Sequence, residues 1–252
     1  MNNKDKVAAL LKSFETGSSE PLSYINPNKY IQHNLSIGDG LMALRGLFQS
    51  LPKDSTKVNT VRAFQDGDFV FAQTEYDFFG PKAGFDIYRF EEGLIVEHWD
   101  NLEEIAGPNP SNHTMFDGMT EIYNFDKTEV NRELVRNFIQ DVLMGKNTEK
   151  LPDYFNDDDY IQHNPAISDG LSGLGNALKA LADQDIVLKY DEIHMVLAEG
   201  NFVLVVSEGS FAGKHTSFYD LFRVENNKIA EHWDVIEFIM PEAEWKNTNG
   251  KY

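Results

Sequence analysis

No cysteine occurs in the 252 residues, which excludes disulfides, thiol catalysis and cysteine-ligated metals together. Long apolar runs are also missing: no stretch approaches the roughly 18 residues that a membrane-crossing helix needs. The N-terminus, Met1-Asn2-Asn3-Lys4-Asp5-Lys6, leads into an amphipathic segment and not an apolar one. It therefore predicts no signal peptide, and a cytoplasmic protein. Basic residues are scarce, 22 against 41 acids, for a formal charge of −19. The acidity is even: residues 1–125 carry 10 − 18 = −8 and the remainder 12 − 23 = −11. A field of this sign repels phosphate backbones and anionic lipid, so neither nucleic acid nor membrane is an expected partner. Gly-rich phosphate loops, a nucleophile elbow and redox motifs are absent too, and no cofactor is expected.

What the chain does contain, it contains twice. Tyr30-Ile31-Gln32-His33-Asn34 returns as Tyr160-Ile161-Gln162-His163-Asn164, an offset of 160 − 30 = 130. Glu97-His98-Trp99-Asp100 returns as Glu231-His232-Trp233-Asp234, an offset of 231 − 97 = 134. Two matches in the same order imply a tandem duplication of a unit of about 125 residues, one ordinary domain. Residues 24–40 and 154–170 share 10 of 17 positions, and 84–100 and 218–234 share 8 of 17. The retained residues are polar and aromatic, whereas a duplicated core keeps mainly aliphatic ones. They mark a site, present twice. Pro108-Asn109-Pro110-Ser111-Asn112 through Asp126 reads as a linker rich in breakers, giving domains 1–125 and 126–252.

Periodicity supplies the elements. In the second copy Val130, Leu134, Val135, Phe138, Ile139 and Val142 recur at helical spacing over 129–146. A short helix over 149–155, a brief strand over 160–163 and a helix after Asp169-Gly170 follow. Strands are then expected over 189–197, 201–210, 215–224 and 228–236. The first copy repeats this order from a helix over 6–16 to a last strand over 94–101. Helices first and antiparallel strands after them predict an α+β layer. Glu92-Gly93 and Asn226-Asn227 suit two-residue hairpin turns, since both positions tolerate positive φ. A regular register from those turns puts Asp86 opposite Trp99 and Tyr88 opposite Glu97. Both hairpin faces then mix apolar and ionisable groups, and a bulge at the turn would swap the pairing. Arg89, His98 and Asp100, with Arg223, His232 and Asp234, form either a charge-paired catalytic set or a structural cluster. A metal held by His33, His98 and Asp100 lacks any tight histidine spacing, and no metal is expected.

These blocks, with Asp169-Gly170, Asp220-Leu221-Phe222-Arg223-Val224 and Lys228-Ile229-Ala230-Glu231-His232-Trp233-Asp234, resemble the SnoaL-like polyketide cyclase group of the nuclear transport factor 2-like superfamily. The resemblance covers nearly the whole chain as two copies. It implies two tandem cone-shaped domains, each a curved, mostly antiparallel sheet wrapped on a cavity and closed by about three helices. The family's oxyanion-hole Asp matches Asp86 and Asp220. The isomerases' general-base Asp falls on Asn34 and Asn164, which cannot abstract a proton. Copy one also has Leu35 where copy two has Pro165.

The resemblance implies a small-molecule enzyme working by cofactor-independent proton transfer beside a carbonyl: aldol-type cyclisation, isomerisation or dehydration. The expected catalytic residues are His163, Asp220, His232 and Asp234, and in copy one His33, Asp86, His98 and Asp100. A small apolar or carbonyl-containing ligand is expected against Tyr160, Asn164, Phe222, Arg223 and Trp233, and against Tyr30, Asn34, Tyr88, Arg89 and Trp99. The alternative is a non-catalytic small-ligand-binding protein of the same fold. Single-domain relatives commonly pair through their sheets, so a tandem chain is expected to be a monomeric pseudo-dimer; an obligate dimer on sedimentation would contradict this.

Overall fold

The computed structural model describes residues 1–52 and 55–252. The chain forms two compact units: Met1–Glu104 with Ile239–Tyr252, and Ile105–Phe238. Each is α+β and holds a five-stranded mixed sheet. In unit 1, α1 (Asn3–Thr16) precedes β1 (Ile31–Gln32), α2 (Gly40–Ser50), β2 (Lys57–Asp66), β3 (Phe69–Asp77), β4 (Pro81–Glu91) and β5 (Leu94–Glu104). The sheet order is β1-β5-β4-β3-β2, antiparallel except for the β1–β5 pair. In unit 2, α3 (Thr128–Phe138), β6 (Ile161–Gln162), α4 (Gly170–Asp183), β7 (Leu188–Glu199), β8 (Phe202–Phe211), β9 (Lys214–Glu225) and β10 (Lys228–Phe238) repeat it as β6-β10-β9-β8-β7. Among the described residues no helix is long and apolar enough to cross a membrane.

Local sequence accounts for the ends of these elements. Asn2 caps α1 by accepting from the Asp5 N–H at 2.8 Å while Asp5 accepts from the Asn2 N–H, and Gly17 closes the helix at φ 71°. Val7, Leu10 and Leu11 of α1 are buried in a core shared with Val70, Tyr88, Phe90 and Ile95 of the sheet. In unit 2, Val135, Phe138 and Ile139 pack on Val203, Val205, Phe218 and Phe222. The helix expected to run unbroken to 146 is α-helical only to Phe138 and passes into a π-helical turn over Ile139–Leu143.

The segment read as a linker, 108–126, packs within unit 2, and the tail from Ile239 packs within unit 1. Asn109 Nδ2 donates to the carbonyls of Gln162 and Ile167 at 2.6 and 2.9 Å. In unit 1, Asn247 Nδ2 donates to those of Asn34 and Ile37 at 2.8 and 2.9 Å. An asparagine amide thus satisfies the carbonyls of the loop after each short first strand. Breaker-rich composition reads as a linker because such bonds leave no periodic signal.

The hairpin turns form as expected, with Glu92 and Gly93 at φ 49° and 77°, and Asn226 and Asn227 at 52° and 58°. The register beyond them does not. A bulge between Arg89 and Phe90, and one between Ile229 and Glu231, insert an extra residue on the returning strand. Asp86 therefore pairs with Asp100 and Tyr88 with His98; Asp220 pairs with Asp234 and Phe222 with His232. That slip of one residue decides which side chains share a face.

Gly209 opposes Tyr190, and an added Cβ would lie 1.9 Å from the Lys189 carbonyl oxygen. Because the obstacle is backbone, Gly209→Ala is expected to destabilise unit 2 by about 1–3 kcal/mol, read from urea unfolding.

Candidate functional site

Each unit encloses an apolar cavity between its sheet and helices, about 290 Å³ in unit 1 and about 320 Å³ in unit 2. The bulged register turns one polar set from each hairpin toward it. In unit 2 these are Asp220, Phe222, His232 and Asp234, joined by Tyr160, Gln162, Asn164 and Tyr190. In unit 1 they are Asp86, Tyr88, His98 and Asp100, with Tyr30, Gln32, Asn34 and Tyr76.

Parallel pairing of β6 with β10 sets Gln162 beside His232. Gln162 Oε1 accepts from the Asn164 N–H at 2.9 Å and its Nε2 donates to Tyr160 Oη at 3.0 Å, so the amide orientation is fixed. His232 Nδ1, 3.0 Å from that Oε1, must donate to it. His232 Nε2 lies 3.0 Å from Asp220 Oδ1, and Tyr190 donates to Asp220 Oδ2 at 3.2 Å. Asn164 Nδ2 donates to Asp234 Oδ2 at 2.7 Å, whereas Asp234 Oδ1 is buried with no hydrogen-bond partner. Unit 1 repeats this arrangement. His98 lies 2.9 Å from Gln32 Oε1 and 3.0 Å from Asp86 Oδ1; Tyr76 donates to Asp86 Oδ2 at 2.6 Å. Asn34 holds Asp100 Oδ2 at 2.7 Å, and Asp100 Oδ1 again has no partner. The histidines stack on Tyr88 and Phe222 at 4.4 and 4.7 Å.

Burial opposes the charged form of His232, but the hydrogen bond to Asp220 and the charges of Asp234 and Asp220 raise its pKa above the ordinary histidine value. Burial, aided by the Asp220 charge and opposed by His232, raises Asp234 above the usual carboxylate range. Both shifts mean that the folded chain binds more protons than the unfolded one. For His232 the stabilisation is complete below about 6.5 and lost as pH rises through its folded value; for Asp234 it declines from about 3.9 upward. Unit 2 is therefore expected to lose stability as pH rises past about 6.5, seen as a falling urea midpoint. The slope should flatten in a His232→Gln/Asp234→Asn double variant.

The structure places the other expected site residues on the opposite face of the sheet. His33 and His163 stack on Trp99 and Trp233 at 4.8 and 4.6 Å. Their Nε2 atoms face Glu97 and Glu231 at 3.0 and 2.9 Å. Those carboxylates accept from Arg89 and Arg223 at 2.7 and 2.6 Å. None of these eight residues lines either cavity. His33 is thus not brought together with His98 and Asp100 as a metal triad requires. Instead Asp86, His98 and Asp100, and Asp220, His232 and Asp234, have ligand-type atoms within 4.8 Å of one another.

Sequence reasoning missed Gln32 and Gln162, although both stand inside the repeated pentapeptide. It also missed Tyr76 and Tyr190, which no repeat could reveal: Tyr76 comes from β3 but Tyr190 from β7, the counterpart of β2.

No protein-family model matches the chain, and no curated protein does. Among solved structures it is similar to IdmH, a proposed polyketide cyclase from Streptomyces antibioticus, at 21% identity over 39% of this chain and 90% of that one, TM-score 0.34. A proposed ketosteroid isomerase from Kribbella flavida is 14% identical over 46% of this chain and 83% of its own, TM-score 0.38. A ketosteroid isomerase-like fold protein from Catenulispora acidiphila, solved with trimethylamine, is 15% identical over 39% and 85%, TM-score 0.32. What the chain is similar to, over about two-fifths of its length in each case, is the polyketide cyclase and ketosteroid isomerase group of structures.

Proposed function

We infer that each unit binds a small, largely apolar carbonyl compound and moves a proton beside the carbonyl without a redox cofactor. The observation that carries this reading is the partnerless oxygen of Asp234, and of Asp100, on the wall of an apolar cavity. A buried carboxyl left unsatisfied costs stability and so suggests a group kept for a ligand. Asp234 takes the α-proton through Oδ1; its raised pKa makes it a stronger base near neutral pH. Asn164 holds the second oxygen and fixes the angle of approach. Tyr160 accepts from Gln162 and keeps its own hydroxyl proton to donate to the developing enolate oxygen. Burial holds that phenol well above its ordinary pKa, so it stays a donor. His232 and Asp220 bond each other and so act as a fixed charge pair at the wall. Among the expected catalytic residues, the base is thus Asp234, and Asp100 in unit 1.

A cavity near 300 Å³ lies at the lower end for small-molecule sites, which favours one- and two-ring ligands. The test is deuterium exchange: the protein in D₂O with a panel of cyclic ketones and enones, α-proton loss followed by NMR. Exchange above the buffer rate supports proton transfer. Saturable binding without exchange would favour the second reading, a non-catalytic binding protein. That reading draws on the hydrogen bonds that already engage both nitrogens of His232 and both oxygens of Asp220.

A further inference from the structure

Residues 113–117 carry a group of side chains that the cavity does not use. His113 Nδ1 lies 3.1 Å from Asp117 Oδ2. His163 Nδ1 lies 3.0 Å from Asp117 Oδ1 and 2.8 Å from the Thr114 carbonyl oxygen. The ligand-type atoms of His113, Asp117 and His163 all fall within 4.8 Å of one another. Separations near 3 Å suit ligands around one ion whose bonds run about 2.0–2.2 Å.

The second nitrogen of each ring is the deciding feature. His163 Nε2 faces Glu231 Oε1 at 2.9 Å, and His113 Nε2 faces Asp169 Oδ2 at 3.2 Å. With Nε2–H donated to a carboxylate, each Nδ1 presents a lone pair toward oxygens that can only accept. That position must be filled by a proton or by a cation. A carboxylate behind each imidazole is the arrangement that orients metal-binding histidines. The side chains of His113 and Asp117 are 30% and 44% exposed, which leaves a route for an ion and for water ligands. Among the described residues copy one has no equivalent group, and His33 Nδ1 there meets the Gly250 carbonyl at 2.9 Å.

We propose that His113, Asp117 and His163 form a site for a divalent ion of the zinc or cobalt class, with Glu231 and Asp169 orienting the two imidazoles. Among the described residues the site belongs to unit 2 alone, and it lies on the sheet face opposite the cavity. An ion there ties residues 113–117 to the end of β6, displaces the Nδ1 protons, and binds more weakly as pH falls.

The test titrates the chelator-treated full-length chain with Zn²⁺ by calorimetry and with Co²⁺ by visible absorption. Each of His113→Gln and Asp117→Asn is expected to weaken binding at least tenfold. Asp169→Asn is expected to cost on the order of tenfold, through the ring it orients. Glu208→Gln, in the surface group Glu192, His194 and Glu208, is the control and should change affinity less than twofold. Both of the first two variants alter partly exposed side chains, so folding is preserved and checked by circular dichroism. Absence of saturable binding would overturn the proposal, as would binding that survives both variants or is lost on Glu208→Gln or Asp234→Asn.

Discussion

Truncating Glu231 to alanine is expected to destabilise unit 2 by about 3–5 kcal/mol, the loss typical when one partner of a buried ion pair is removed. Glu231 is 2% exposed and is engaged at both oxygens, by Arg223 at 2.6 Å and by His163 at 2.9 Å. Alanine leaves a guanidinium and an imidazole in the protein without their shared anion. Glu97→Ala in unit 1 removes the same contacts but is expected to cost about half as much. There the carboxylate and arginine side chains are 13% and 22% exposed, against 2% and 6% in unit 2, so water compensates the orphaned charge. Urea unfolding in a Trp99→Phe/Trp245→Phe background isolates Trp233 as the reporter of unit 2, and a Trp233→Phe background leaves Trp99 and Trp245 to report unit 1. The same pairing sets an acid limit. A carboxylate with a depressed pKa contributes stability above about 4.3 that is lost as pH falls through its folded value. The Glu231→Ala variant should lack that acid-side loss. Equal costs at the two positions would refute this view of the opposite face.

The order of elements was legible because helical and strand periods follow each other without overlap in both copies. The turns were legible from Glu92-Gly93 and Asn226-Asn227. What periodicity could not supply was the one-residue bulge beyond each turn, since Val96 and Ala230 are apolar residues of the sort that suit either face. With Asp86 and Asp220 on the cavity side, that single residue decides that His98, Asp100, His232 and Asp234 share their face while Trp99, Trp233, Glu97 and Glu231 take the other. The packing of residues 108–126 was hidden for a related reason: side-chain amides such as Asn109 and Asn247 do the holding, and one residue makes no pattern.

Repetition was informative but ambiguous. Retained polar residues belong to two separate networks, one on each face of the hairpin, and sequence alone cannot separate them. His163 repeats His33 as faithfully as His232 repeats His98, yet only the second pair reaches a cavity. Tyr76 and Tyr190 show the converse: the same hydroxyl-to-aspartate bond is supplied from different strands. A function preserved in space need not be preserved in register.

Asp234→Asn is expected to lower α-proton exchange in unit 2 by about 10²–10⁴-fold, the usual contribution of a positioned general base. Asparagine retains the shape of the side chain, and its Oδ can still accept the 2.7 Å bond from Asn164 Nδ2, so ligand affinity should change little. The atom lost is the one carboxylate oxygen with no other partner. Asp220→Asn should behave differently. Its oxygens are engaged by His232 and Tyr190, so its loss removes the charge that helps keep His232 protonated and shifts the pH profile more than the limiting rate. In the wild type, exchange should rise with pH as Asp234 ionises, and that limb should vanish in Asp234→Asn. Because unit 1 presents an equivalent Asp100, the measurement is made on Asp100→Asn, Asp234→Asn and the double variant with one ketone substrate. Residual exchange in each single variant reports the other cavity. Full exchange in the double variant, with ligand binding intact, would remove both carboxyls from the reaction and assign the proton transfer to another group.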